Sequence, residues 1–443
     1  MEILDRIKAL PGRLWSIFPA PLKRSGLGRF LKRARNVSAD KVLWIWAFLM
    51  IAGLFLFKLI SGNLPGMGSS LVFAQHWEDE LEGQTLTNLA AEFEAGNPGI
   101  TVRVEKMSWE EIRAALEGGE SAERRGRRIP PPDVFTIDPY ALYEVEAFLA
   151  PPVEEEAAAG TGGAFPVISL INPLFYNIDL LQNAGFDRPP KNQTELLSYV
   201  QRIGQTNTGG GSAVYGAGIA LGGTDPHSVS RQLLSWIWAA AGSPEGEFSF
   251  TSPEAVKALN FLYQLKQNLY PNPFGLSEAE LLRAFGEGKV GMIIGSSADI
   301  RRLKPKQVRF GITTIPGPES YARKPVFPLT TWYAGISAAS PHQEDARTFA
   351  AFLREKGETI AAAAYAVPGS GRRSRELSKS DPYYAKAFDM YEAGEMAREP
   401  YRRPGTARLP GIIRREVELM LNGARTPQQC AEAIQRGWEA PVP

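Results

Sequence analysis

Cysteine and histidine are scarce in this sequence of 443 residues. Its single cysteine, Cys430, excludes an intramolecular disulfide and any zinc site built from several thiolates. The three histidines lie far apart along the chain, so we expect no histidine-based metal site. A large excess of one charge is also missing, because 49 Lys and Arg residues face 48 Asp and Glu residues. The overall charge therefore gives no sign of nucleic-acid binding.

Motifs of common enzyme classes are missing as well. Residues 286–291 contain a Gly-Lys pair, but Val290 replaces the Ser or Thr of a phosphate-binding loop. No Gly-x-Ser-x-Gly sequence occurs, so the nucleophile turn of the α/β-hydrolases is not expected. We predict a protein without enzymatic activity, cofactor or metal. An extracytoplasmic glycosidase that uses Asp79 and Asp138 as its carboxylate pair stays a minor alternative.

Charge is concentrated at the N-terminus instead. Residues 1–41 hold ten basic and three acidic residues, a net charge of +7. Residues 42–60 follow as a 19-residue apolar stretch with Lys58 near its end, about the length that spans a bilayer. This order predicts a basic cytoplasmic arm (1–41), a transmembrane signal-anchor (42–60) and a linker (61–70), with the bulk of the chain exported. Cleavage of the apolar stretch, or its burial as a helix, remains an alternative.

Beyond residue 70, the apolar periodicity predicts an α/β protein. Three strands are expected at Leu71–Ala74, Ile100–Val104 and Asp133–Ile137, and an amphipathic helix is expected around Leu86–Phe93. Alternating strands and helices imply a parallel sheet with right-handed crossovers. Ligands of such sheets bind beyond the carboxyl ends of the strands, which here carry His76–Asp79 and Asp138–Tyr140.

Helix starts and core residues are predicted at several further points. Capping boxes are expected at Ser108 with Glu111 and at Ser277 with Glu280, and helices are expected to begin at Ser252-Pro253, Ser340-Pro341 and Thr426-Pro427. Trp236, Trp238 and Cys430 lie in helical patterns and are predicted to pack in a core. Asn177 is expected to bond nearby backbone, and Asp133 to shape the turn into its strand.

Several blocks of the sequence carry a family resemblance. They are Leu89–Trp109, Pro131–Pro152, Leu174–Leu197, Phe250–Leu265, Leu281–Ser296 and Thr331–Leu353. In this order the blocks resemble the extracellular solute-binding proteins of the carbohydrate-binding family, which includes the maltose-binding protein. The resemblance covers about residues 70–443.

The resemblance implies a fold. Two α/β lobes of a type II periplasmic-binding-protein-like fold would face each other across a cleft and be joined by hinge crossings. By resemblance, lobe 1 comprises residues 71–151 and 328–357, and lobe 2 comprises residues 152–327 and 358–443. A ligand that contacts both lobes would favour the closed state.

The resemblance also implies a binding site. A sugar offers apolar ring faces and a rim of hydroxyls, so its site needs flat aromatic side chains and a few polar groups. The ligand-binding residues expected on this basis are Trp77, Asp79, Glu80, Asp138, Tyr140, Tyr176, Ser297, Asp299, Trp332 and Tyr333.

One departure from the family pattern affects the expected ligand. The family often has a sugar-stacking tryptophan after the block that ends at Gly295, where this chain has Ser296, Ser297, Ala298 and Asp299. Losing that stacking surface removes on the order of 1 kcal/mol or more. Either the ligand is smaller or more polar than a maltodextrin, or the site is degenerate. Ser297 and Asp299 would instead hydrogen-bond a ligand hydroxyl.

Together these features predict the receptor of an ABC importer, fixed to the inner membrane with its N-terminus in the cytoplasm. Its expected partners are a sugar or similar polar solute, the permease subunits and a separate ATPase, since the chain has no nucleotide motif. A membrane-tethered sensor or interaction protein that has kept the fold without a transport ligand is the main alternative.

Overall fold

A computed structural model describes residues 69–441 except 78–80, 82–83, 119–122, 125–126, 153–162, 207–212, 223–225, 242–248, 319–325, 328, 372–374 and 397–404. Residues 70–443 form one compact unit, which is the part described below. The predicted arm (1–41), the predicted signal-anchor (42–60) and most of the predicted linker lie outside the described residues.

The strands are β1 Ser69–Gln75, β2 Ile100–Lys106, β3 Glu123–Arg124, β4 Arg127–Arg128, β5 Val134–Ile137, β6 Ala164–Ile171, β7 Leu174–Asn177, β8 Tyr215–Gly218, β9 Val290–Ile294, β10 Phe310–Thr313, β11 Val326–Phe327, β12 Leu329–Ile336, β13 Val367–Pro368 and β14 Glu395–Met396.

The α-helices are α1 Thr85–Gly96, α2 Trp109–Glu117, α3 Leu142–Val145, α4 Ile178–Asn183, α5 Gln193–Thr206, α6 Pro226–Ala241, α7 Pro253–Leu265, α8 Glu278–Gly286, α9 Asp299–Leu303, α10 Gln343–Glu355, α11 Gly357–Ala363, α12 Arg375–Ser380, α13 Pro382–Ala393, α14 Leu409–Leu421 and α15 Pro427–Glu439.

The first lobe is built on a six-stranded sheet in the order β13-β6-β12-β5-β1-β2. β1 and β5 are parallel, as predicted, whereas β12 runs antiparallel to both β5 and β6. One buried cluster joins the sheet to α1, α10 and α11, for example through the edge-to-face contact of Phe73 with Phe349, whose ring centroids are 5.4 Å apart. A second cluster covers the other face with residues of α2 and α3, such as Ile112 and Leu142. Helices on both faces therefore bury this sheet.

The second lobe is built on a four-stranded sheet in the order β10-β7-β9-β8. Residues of α5, α6, α7, α14 and α15 pack on one face, and residues of α8, α9 and α13 pack on the other. Trp236 and Trp238 are both buried in the first of these clusters, which confirms the core interpretation. Cys430 is buried there too, as predicted, and burial raises the pKa of its thiol to about 12, helped by the negative charge of Glu416.

The chain crosses between the two sheets at points that differ from the lobe limits expected from the resemblance. β6 lies after the expected limit at residue 152, but it pairs with β12 in the first sheet, so the chain leaves that sheet only after Ile171. α11 lies after the expected limit at residue 357, yet its Ile360 packs in the first lobe's core. β13 still pairs with β6 in the first sheet, although its Val367 also packs in a buried cluster of the second lobe. The last crossing therefore follows Pro368.

Local polar signals fix several helix starts. Both predicted capping boxes are present. The hydroxyls of Ser108 and Ser277 accept hydrogen bonds from the backbone N–H groups of Glu111 and Glu280, and the two glutamate carboxylates accept from the backbone N–H groups of the serines. The side chain of Asn177 accepts a bond from the backbone of Leu180 at 3.0 Å, which confirms its predicted backbone role.

The prediction that a helix begins at Ser340-Pro341 is wrong. α10 begins at Gln343. The hydroxyl of Ser340 donates to the buried carboxylate of Asp133 at 2.5 Å and accepts from the backbone of His342, so it holds a turn before the helix. The other carboxylate oxygen of Asp133 accepts from the backbone of Val72 at 2.8 Å, which ties this turn to β1.

Within the described ranges, no helix combines the length and the apolar character needed to cross a bilayer.

Candidate functional site

Aromatic and polar residues meet where β1 and β5 end beside β12. The indole rings of Trp77 and Trp332 stack with their centroids 4.8 Å apart and an angle of 17° between their planes. The side chains are 1% and 5% exposed. The register of β12 against β6 shifts between Trp332 and Tyr333, and these two residues pack in different clusters of the first lobe. Trp332 therefore packs on Trp77 and Tyr333 packs on the opposite face, as successive residues of a strand do.

The backbone around Trp77 is fixed by its neighbours. Its N–H donates to the side-chain oxygen of the fully buried Gln75 at 2.9 Å. The ring of His76 lies 2.6 Å from the hydroxyl of Thr136, measured from Nδ1 to Oγ1. The indole Nε1 of Trp77 is buried and has no hydrogen-bond partner among the described residues. Buried donors usually find a partner, so this N–H is an exception within the described part of the chain.

The end of β5 supplies two of the predicted residues. The carboxylate of Asp138 accepts a hydrogen bond from the backbone of Tyr140 at 2.8 Å, and both side chains are buried. Tyr140 belongs to the large buried cluster of the second lobe, which also contains Leu409. This tyrosine therefore lies at the junction of the two lobes although it follows a strand of the first.

Residues 296–299 also lie at the lobe junction. Ala298 is 1% exposed and belongs to the first lobe's buried cluster that contains Trp77 and Trp332. The backbone of Ser297 donates to the carbonyl of Ile171 at 2.8 Å, and its hydroxyl accepts from the backbone of Ile171 at 3.2 Å. This pair of bonds holds the segment against the crossing that follows β6.

Asp299 stabilises the same segment. One carboxylate oxygen accepts from the backbone of Ser296 at 2.9 Å, and the other accepts from Arg302 at 3.1 Å. The expected hydroxyl-binding role of Ser297 and Asp299 remains a prediction. In the arrangement seen here both side chains bond to other groups of the protein.

One predicted site residue, Tyr176, lies in the second lobe's sheet and outside this constellation. Tyr176 is in β7 opposite Gly311 of β10, and a side-chain carbon at that glycine would collide with the tyrosine ring. Burial raises the pKa of Tyr176, with a further contribution from Tyr383 of the same lobe. Asp79 and Glu80 lie outside the described residues. Their roles in ligand binding stay predictions.

A hydroxyl-rich row along the crossing strands was missed by the sequence interpretation. The hydroxyls of Ser169 and Thr331 are 3.0 Å apart on paired positions of β6 and β12. Next to them, the amide of Asn172 donates to the hydroxyl of Thr330 at 3.4 Å, while its buried Oδ1 has no partner among the described residues. The available signal was the presence of small polar residues inside otherwise apolar strands, in VISLIN and LTTWY.

These residues are of the types that bind a small hydroxylated molecule, and in the arrangement seen here they are buried or bonded within the protein. They comprise stacked indoles, a tyrosine at the lobe junction, and buried donors and acceptors that a hydroxyl can satisfy. Within the described part of the chain, no cluster of three or more His, Cys, Asp or Glu side chains is placed to hold a metal ion.

Two α/β lobes that share crossing strands, with such residues at their junction, define a periplasmic-binding-protein-like architecture. A family model described as "bacterial extracellular solute-binding protein" matches residues 77–360. The chain belongs to this family. Family membership implies a periplasmic or extracellular location for the matched region.

Individual relatives agree with this assignment. YcjN of Escherichia coli (strain K12), named as an ABC transporter periplasmic-binding protein, is 26% identical over 321 residues, which is 67% of this chain and 71% of that protein. The maltose-bound MalE3 structure of T. maritima superposes with a TM-score of 0.66 at 19% identity, covering 84% of this chain and 99% of the other. The GacH receptor of Streptomyces glaucescens, known with acarbose, gives a TM-score of 0.65 at 18% identity, covering 84% and 97%. At these identities the structural likeness establishes the fold alone.

Proposed function

We propose that this protein is the membrane-tethered receptor of an ABC importer and binds a sugar or similar polar solute between its two lobes. The observation that carries the proposal is the stacked pair of Trp77 and Trp332 at the lobe junction, together with Trp77 Nε1, which has no hydrogen-bond partner among the described residues. Flat indole faces bind the apolar faces of sugar rings. Both indoles are buried against each other in the arrangement seen here, so they would contact a solute only when the lobes move apart. The sugars bound by the structural neighbours support the same class of solute.

The tether follows from the N-terminal sequence. Residues 42–60 would cross the inner membrane once, with the basic residues of 1–41 in the cytoplasm. Delivery requires permease subunits and a separate ATPase. Anchoring the receptor would raise its effective concentration at the permease.

A tethered sensor or interaction protein is the second candidate. The observation that favours it is the packing of Ala298 at the lobe junction, together with the internal bonds of Ser297 and Asp299. The side chains of Ser297 and Asp299, which the resemblance predicts to bind ligand, bond to other groups of the protein instead.

The melting temperature of the full chain in detergent, measured with a panel of sugars, polyols and glycerol phosphates, tests the proposal. A solute present at 100 times its dissociation constant should stabilise the protein by about 2.7 kcal/mol. We expect the shift with one chemical class, and we expect Trp77→Phe to reduce it because the indole N–H is lost.

The matched control is Trp109→Phe, since Trp109 is half-buried in α2 and packs against the cluster on the other face of the first sheet. This variant should keep the shift. A well-folded protein that shifts with no member of the panel would contradict the receptor and favour the sensor. Release of product from a sugar polymer, lost in Asp138→Asn, would instead indicate the glycosidase.

A further inference from the structure

Tyr365 has an unusual backbone conformation next to the last crossing between the lobes. Its φ angle is 53°, in the left-handed region that bulky side chains rarely adopt. The flanking Ala364 and Ala366 are 0% and 1% exposed and belong to the buried core of the first lobe. The backbone at this point is therefore held by the first lobe.

The side chain of Tyr365 is held by the second lobe. Its hydroxyl donates to Oδ2 of Asp381 at 2.6 Å, and the ammonium of Lys304 donates to the same hydroxyl at 3.0 Å. Lys304 also donates to Oδ2 of Asp381 at 2.6 Å, which closes a three-membered cluster.

Both partners are firmly fixed in the second lobe. Lys304 directly follows α9, whose Leu303 lies in the second lobe's core. Asp381 caps α13, because its Oδ1 accepts from the backbone of Tyr383 and Tyr384 at 2.9 and 3.2 Å. One carboxylate oxygen thus fixes the helix while the other binds the tyrosine.

The ionisation states suit strong hydrogen bonds. Burial alone would raise the pKa of Asp381, but the hydrogen bonds from Lys304 and Tyr365 outweigh it and lower the pKa. Burial raises the pKa of Tyr365, and its bond to the aspartate raises it further. At neutral pH a protonated phenol therefore donates to a carboxylate, an interaction stronger than a neutral hydrogen bond.

We propose that Tyr365 is an interlobe latch: its backbone is fixed to the first lobe, its hydroxyl is bound by Asp381 and Lys304 of the second, and it stabilises the arrangement of the lobes seen here. A left-handed backbone at a bulky residue persists only where surrounding contacts hold it. The left-handed turn directs the ring away from the first lobe's core, where Ala364 and Ala366 are buried, and toward the second lobe. The latch does not depend on which solute the protein binds.

The latch lies beside a crossing, so it restrains rotation of one lobe against the other. In the arrangement that it stabilises, Ala298 packs into the cluster of Trp77 and Trp332, and Tyr140 packs into the core of the second lobe. Loss of the latch should therefore increase the population of conformers in which the lobes are further apart.

Distances between spin labels test the latch in the full chain in detergent without any added solute. Introduced cysteines at Ala91 of α1 and Lys257 of α7 place the labels on exposed positions of different lobes. Cys430 is fully buried and stays unlabelled. We expect Tyr365→Phe, which removes only the hydroxyl, to increase the long-distance population at least about threefold, the effect of losing part of a hydrogen bond's free energy.

Tyr383→Phe is the matched control. The Tyr383 hydroxyl donates to the carbonyl of Phe310 at 3.1 Å, and both residues belong to the second lobe. This variant also removes one tyrosine hydroxyl, but no bond between the lobes is lost. The label-to-label distances should therefore match those of the unmodified chain. Lys304→Met should shift them in the same direction as Tyr365→Phe.

The latch would be overturned if the label-to-label distances in Tyr365→Phe and Lys304→Met equalled those in Tyr383→Phe. This result would leave the solute-binding proposal standing, because that proposal is tested by melting shifts. Conversely, a latch effect without any solute-dependent melting shift would support the latch and contradict the receptor.

Discussion

Replacing Trp332 by alanine should lower the free energy of unfolding by about 3–5 kcal/mol, the usual cost of deleting a buried tryptophan. The side chain is 5% exposed and is stacked on Trp77, so its removal opens a cavity and leaves one face of the second indole without its partner. Urea denaturation followed by near-ultraviolet circular dichroism measures the loss.

Trp109→Ala is the matched comparison. Trp109 is only half-buried, so its truncation should lower the free energy of unfolding by less than that of Trp332. A loss from Trp332→Ala no greater than that from Trp109→Ala would show that the indole stack does not contribute as the structure implies. A double-mutant cycle with Trp77→Phe and Trp332→Phe isolates the pair, and we expect a coupling of about 0.5–1.5 kcal/mol.

Arg425→Met should destabilise the protein by roughly 1–3 kcal/mol, because the buried carboxylate of Glu416 loses one of its two cations. The side chain of Glu416 is 1% exposed, with Oε2 paired to Arg425 at 2.5 Å and Oε1 paired to Arg415 at 2.8 Å. Removing Arg425 leaves a buried carboxylate oxygen without its cation. The free energy of unfolding in urea again measures the effect.

An exposed pair provides the control. Arg113 and Glu117 are 49% and 46% exposed and 3.4 Å apart, so Arg113→Met should change stability by less than about 0.5 kcal/mol. The double variant Arg425→Met with Glu416→Leu should recover stability relative to Arg425→Met alone, since no buried carboxylate is then left with an unpaired oxygen. Equal effects of Arg425→Met and Arg113→Met would contradict the account of Glu416 as a buried, paired carboxylate.

Features that leave a local pattern of spacing or apolar periodicity could be predicted from the sequence. The capping boxes at Ser108 and Ser277, the parallel pair of β1 and β5, and the burial of Cys430 all follow from spacing and periodicity. The Ser340-Pro341 prediction failed because a distant residue, Asp133, binds the serine hydroxyl and holds a turn there.

Features that depend on contacts between distant segments could not be predicted in this way. The stacking of Trp77 on Trp332 joins residues more than 250 positions apart, so no local pattern in the sequence predicts it. The packing of Ala298 into the first lobe's core follows from how two lobes meet. The resemblance indicated where the site lies, while the contacts of each side chain required the structure.

Hydrogen–deuterium exchange of the full chain, with and without the sugar that gives the largest melting shift, tests the central claim most directly. A solute bound between the lobes should slow exchange in peptides of both, around Asp138–Ala141 and Thr331–Tyr333 in the first and around Ser296–Asp299 in the second. Slower exchange in both sets at once is the predicted result. Unchanged exchange in both, or protection confined to one lobe, would contradict a solute site at the lobe junction.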